Sequence, residues 1–138
     1  MVALAMIRIY DSGYRGDCRV ETIEQIDCAS WLQFNHPERW PLIWHTPNEQ
    51  KATASYMQKR QKMGVKAGVS DIIDFGLVRG AFELKRVDKS KCKISKEQRT
   101  FLQAVADSGG FAAIVYGFEQ FKLAYADYLA FIASKQLT

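Results

Sequence analysis

The chain has 138 residues, 48% hydrophobic and 25% charged, which fits one folded domain and excludes a disordered or fibrous chain. Lysine and arginine number 19 against 15 acids, a net charge of +4. That excess is modest, so its placement carries more information than its size.

No apolar run reaches membrane-spanning length, and residues 2–9 are too short for a secretory signal and lack its cleavage site. Cys18, Cys28 and Cys92 have no metal-ligand spacing and read as free thiols of a reducing cytoplasm. Residues 1–20 are expected to form an N-terminal arm ahead of a single domain over 21–138. A short strand fits residues 5–10, and Asp11-Ser12-Gly13 and Arg15-Gly16-Asp17 read as loop.

Residues 21–35 read as a helix, with Ile23, Ile26, Trp31 and Leu32 near helical period. Glu21 and Gln25 are one turn apart and point the same way, with Glu24 close to that direction. Acids here suit the helix dipole and also suit a polar site. His36-Pro37 ends the helix. Residues 40–45 then read as an apolar strand ending in His45, expected to be packed and hydrogen-bonded. No second histidine or cysteine stands at ligand spacing, which argues against zinc. Pro47-Asn48 makes a turn. Over residues 50–63 a second helix carries Lys51, Ser55, Lys59 and Lys62 at one-turn steps, either a solvated face or a phosphate-contacting one. Gly64 closes it.

The stretch from residue 68 to 76, running on to 81–85, reads as two short antiparallel strands joined at Arg79-Gly80, with Asp71 opening the first. That pairing brings Asp71 beside Glu83 and Lys85, which project from one face of their strand. Two carboxylates and an ammonium on one patch are costly for folding alone. They suit a hard divalent cation and an activated water. Between residues 86 and 99 six basic residues, Lys89, Lys91 and Lys93 among them, oppose Asp88 and Glu97. A positive loop there would draw a polyanion to the acids.

Ser95-Lys96-Glu97-Gln98 is a capping box opening a third helix, so Gln98 has a structural role available. Residues 111–116 form a continuous apolar run expected as a buried strand. Residues 118–135 make a last helix with Phe121, Tyr125, Tyr128, Leu129 and Ile132 on one face, a stripe that suits the core or a subunit interface. The order predicts an α/β domain with a mixed central sheet flanked by helices, and a parallel crossover through the third helix.

Asp71, with Glu83-Leu84-Lys85 twelve residues on, resembles the PD-(D/E)xK core of restriction-endonuclease-like nucleases. Glu21 with Gln25 is similar to an opening Glu-x-x-x-Gln. Pro47-Asn48, the approach over 64–71 and the segment 94–98 complete a set that resembles the VRR-NUC domain, the virus-type replication–repair nuclease, in its small stand-alone form. The match covers residues 21–116. Ser70 replaces the usual proline, Glu49-Gln50 the usual glycines, and Lys51 an arginine.

The resemblance implies a metal-dependent DNA endonuclease of a bacterial or phage-infected cytoplasm, a homodimer that cuts four-way (Holliday) junctions in recombination or repair. The alternatives are a flap- or single-strand-specific nuclease, a sequence-specific nuclease, and a non-cleaving module that binds branched DNA. On that resemblance Asp71, Glu83 and the Leu84 backbone carbonyl would hold Mg²⁺ or Mn²⁺. Glu21, or alternatively Glu24, would serve a second metal or its waters. Lys85 would orient or deprotonate the attacking water, and Gln98 would position Lys85 or that water. Lys51, Lys59, Lys62, Lys89, Lys91 and Lys93 would contact DNA phosphates.

Overall fold

In chain order the elements are β1 (Arg8–Tyr10), α1 (Glu21–Asn35), β2 (Ile43–His45), α2 (Ala54–Lys62), β3 (Ile72–Asp74), β4 (Gly80–Lys85), α3 (Lys96–Asp107), β5 (Phe111–Tyr116) and α4 (Phe118–Gln136). They are seen in a computed structural model that describes residues 5–47 and 53–136. The strands form one mixed sheet in the order β1-β5-β4-β3-β2. β1, β5 and β4 run parallel, while β3 and β2 pair antiparallel. The step from β4 through α3 to β5 is the expected parallel crossover.

All six residues of β5 are buried, because helices cover both faces of the sheet. Phe111, Ala113 and Val115 face α1 and α4, meeting Leu32, Phe121, Tyr125 and Tyr128. Ala112, Ile114 and Tyr116 alternate to the α3 face and meet Leu102 and Ala106. β4 follows the same alternation, with Phe82 and Leu84 in the α1/α4 core and Ala81 in the α3 core. The aromatic stripe of α4 is core: Phe121, Tyr125 and Tyr128 are fully buried, and Phe82 meets Phe121 edge-on at 5.2 Å. Burying each such side chain stabilises the fold by about 1.5–3 kcal/mol.

Three boundaries differ from expectation. The strand expected over 40–45 is reduced to Ile43–His45, because Trp40–Leu42 is a 3-10 turn and Pro41 has no N–H for a ladder. The hairpin connection is residues 75–79 rather than Arg79-Gly80 alone. There the Asp74 carboxylate takes the Gly76 N–H at 3.0 Å and bends the chain directly after β3. The strand within the expected arm pairs with β5, Arg8 beside Ala113, and so joins the sheet instead of standing apart.

Asp74 itself is fully buried. It is held by Arg39 through Nε at 2.9 Å and Nη2 at 2.7 Å, and by the Tyr125 hydroxyl at 2.9 Å. A buried charge needs that full set of partners, and this one ties the start of the 3-10 turn to β3 and α4.

Candidate active site

β3 is short, and its ladder with β4 ends at Ile72 opposite Phe82. Past that point the Leu84 N–H donates to the Asp71 carboxylate, Oδ2, at 2.8 Å. The side chain of Asp71 thereby replaces a backbone carbonyl where the two strands part. This fixes Asp71 against β4 beside Glu83, as the antiparallel reading expects.

Alternation sends Glu83 and Lys85 to the α3 face, beyond its apolar cluster. Glu83 is 2% exposed, a costly position for a carboxylate. Its Oε2 accepts from Gln98 Nε2 at 3.2 Å, and Lys85 Nζ lies 3.8 Å from the same oxygen, too far for a hydrogen bond. Oε1 is buried with no hydrogen-bond partner. Burial first, and the adjoining Asp71 carboxylate second, push the Glu83 carboxyl far above the usual carboxylate range, against the pull of Lys85. A group in that state is ready to exchange its proton for a cation.

Gln98 makes the expected capping box, and its other amide atom reaches Glu83 rather than Lys85. Its Oε1 accepts from the Ser95 N–H at 2.8 Å while Ser95 Oγ accepts from the Gln98 N–H at 3.0 Å. That capping box leaves Nε2 to reach Glu83. Helix initiation and site geometry therefore share one residue.

Glu21 opens α1 on the other side of Asp71. It lines a cavity of about 330 Å³ with Thr22, Gln25, Ile26, His45 and Asp71. Half-burial raises its carboxyl, with Asp71 adding to the rise and Lys85 and His45 opposing it. Glu24 does not point here, which corrects the alternative assignment. Its Oε2 takes Arg19 Nε at 2.5 Å and its Oε1 takes the Phe118 N–H at 2.8 Å. At helical spacing Glu24 is rotated from Glu21 toward α4, and it caps that helix.

His45 was expected to be packed. It is exposed, and its Nδ1 lies 3.0 Å from the Asp71 carbonyl. As a carbonyl only accepts, Nδ1 carries the proton in that contact. Only the strand pairing, His45 beside Ile72, brings it to the cavity, so no local signal in the sequence reveals it.

Lys89, Lys91 and Lys93 are exposed in the connection from β4 to α3, two elements that carry site residues. Lys59 and Lys62 are exposed on α2. Lys51 and Asn48 lie outside the described residues.

Among the described residues no three His, Cys, Asp or Glu side chains gather as a complete metal cage. The donors of the chain are two adjacent carboxylates. Mg²⁺ sites commonly take one or two carboxylates and fill the rest with water and substrate phosphate. The orphaned Glu83 Oε1 beside Asp71 fits such a partial site.

The chain is thus a mixed sheet flanked by helices, with Asp71, Glu83 and Lys85 gathered where β3 leaves β4. Among solved structures the chain is similar to one described as a VRR_NUC domain protein, with a TM-score of 0.69 at 20% identity. The alignment covers 83% of this chain and 92% of that one. The chain thus has the VRR-NUC fold, in agreement with the resemblance of its motifs. No family model matches the chain, and no curated protein does.

Proposed function

We propose that the chain is a metal-dependent DNA endonuclease that hydrolyses phosphodiester bonds at branched DNA, working as a homodimer on four-way junctions. The observation that carries this reading is the buried Glu83 carboxyl with its unpartnered oxygen, beside Asp71 and within reach of Lys85 and Gln98. A fold needs no such cluster, and hydrolysis of a phosphodiester does.

Asp71, Glu83 and the Leu84 carbonyl would hold Mg²⁺ or Mn²⁺, with Glu21 toward a second ion or its waters. When bound, the ion lowers the pKa of a water and offsets charge on the phosphate. Asp71 stays oriented by the Leu84 N–H. Gln98 orients Glu83 through Oε2. Lys85 lies beside the acids on the same strand face, where its ammonium stabilises negative charge building on the phosphate oxygens and orients the attacking water. Lys89, Lys91 and Lys93 supply the phosphate contacts that hold the duplex. Two copies about a two-fold axis would match the two-fold symmetry of a four-way junction.

The test is cleavage of a labelled synthetic four-way junction beside linear duplex, flap and single strand of matched sequence, with Mg²⁺, Mn²⁺ or EDTA. Paired symmetric nicks on the junction, lost with EDTA, together with a dimer in sedimentation, are the expected outcome. Cutting of flaps or single strands alone would move the substrate to another repair step. Binding without cleavage in either metal would leave a branched-DNA-binding module and overturn the enzyme.

A further inference from the structure

α2 stands outside both hydrophobic cores: none of its residues is buried. A nine-residue helix without a packed face is marginal on its own propensity. Tyr56 at 52% and Met57 at 47% on the helix, and Met63 at 73% directly after it, are exposed, more large apolar surface than a solvated face requires.

Described segments on either side of the helix in sequence, at Thr46 and Gly68, contact the elements of the candidate site. Before it, the Thr46 N–H donates to the Asp71 carbonyl at 2.9 Å and Thr46 Oγ1 to the Ser70 carbonyl at 2.7 Å. After it, Gly68 passes so close to Glu97 that a Cβ would lie 2.5 Å from the Glu97 carbonyl oxygen. With φ of +88°, that approach is open to glycine and closed to other residues. The chain therefore returns against the first turn of α3, one residue from Gln98.

The faces of α2 are sorted by chemistry. At helical spacing Tyr56, Arg60 and Met63 share one side, with the Arg60 guanidinium over the Tyr56 ring at 5.7 Å. Lys59 and then Lys62 flank that side. Residues 53–66 hold four basic side chains, Lys59, Arg60, Lys62 and Lys66, and no acid. A partner for this surface must be anionic and must offer flat apolar faces. Nucleic acid does both, with phosphates for the lysines and bases for the aromatic ring.

We propose that α2 reads exposed base faces: Lys59 and Lys62 hold the phosphates while Tyr56, braced by Arg60, stacks on an unpaired or unstacked base at a branch point. This rests on the nuclease reading above and gives it a means of choosing branched DNA over plain duplex.

The experiment uses the full chain carrying Asp71→Asn, so that cleavage plays no part. The probes are a forked duplex with 2-aminopurine in its unpaired arm beside the branch, and a matched paired duplex. The Asp71→Asn protein should quench the 2-aminopurine and bind the fork about tenfold more tightly than the duplex. Adding Tyr56→Ala should remove the quenching and that preference, leaving duplex affinity and salt dependence unchanged. Tyr56→Phe, which keeps the ring, should retain both.

Equal fork binding with and without Tyr56→Ala overturns the inference. So does an equal loss on fork and duplex, or a change in the sedimentation of the DNA-free protein, which would assign the face to a second copy. A failed cleavage test with intact fork preference would overturn the enzyme and leave α2 as a base reader. Cleavage by a Tyr56→Ala enzyme with unaltered substrate preference would overturn only the role of α2.

Discussion

Glu83 shows how one position serves stability and chemistry in opposition. Its folded carboxyl titrates far above the ordinary value of 4.5, so the folded chain binds a proton that the unfolded chain releases. Stability linked to that proton is complete below 4.5 and falls as the pH rises above it. Glu83→Gln keeps the shape and removes the titration. The variant should therefore melt at a higher temperature than the wild type at neutral pH, with a gap that widens toward alkaline pH. Mn²⁺ should raise the melting temperature of the wild type, increasingly so as the pH rises and the proton leaves, and should do little for the variant. A wild-type melting temperature that ignores Mn²⁺ at every pH would remove Glu83 from the metal set. Lys85→Ala should lower the cleavage rate by roughly 10²–10⁴-fold while leaving binding of the junction intact. Unchanged rates in clean metal would refute the role given to Lys85.

At the scale of elements, what could be read in the sequence was whatever depends on local pattern. The helix at 21–35 and the strand at 111–116 agree with their expected bounds, because period and breakers are local. The pairing of Asp71 with Glu83 was legible too, since a hairpin brings its two ends together. Asp74 and Arg39 were not, because their partnership needs α4 folded over β3. Nor was the attachment of residues 11–19. There the Asp88 carboxylate takes the Ser90 hydroxyl at 2.6 Å and N–H at 2.9 Å, and the Gly16 N–H at 2.8 Å. Arg86 donates to the Arg19 and Cys18 carbonyls. These bonds hold the Asp88 carboxyl down at about 2, below the ordinary 3.8, with Ser90 the largest cause and Gly16 the next. Its contribution is complete above 3.8 and lost as the pH falls through about 2. The Gly16 amide resonance should follow that titration, and Asp88→Asn should erase it. A midpoint near 3.8 would mean that Asp88 does not hold this segment.

For the whole molecule, where the charge falls outweighs its sum. A net +4 is small, yet Lys89, Lys91 and Lys93 stand together just after the strand that carries both Glu83 and Lys85. If Lys89 and Lys91 each neutralise one phosphate, replacing both with alanine should lower the salt slope of binding by about two units for every DNA shape alike. An unchanged slope would exclude that loop from the interface.

The pairing of β1 with β5 has a consequence in time. Arg8 lies beside Ala113, so roughly a hundred residues of chain separate the two strands, and closing so long a loop is entropically unfavourable until the remainder is in place. A ribosome delivers β1 before β5, with the other three strands of the sheet between them. Of the five strands, the one made earliest is therefore among the last to find its place, and β1 closes its edge of the sheet only after β5 is there.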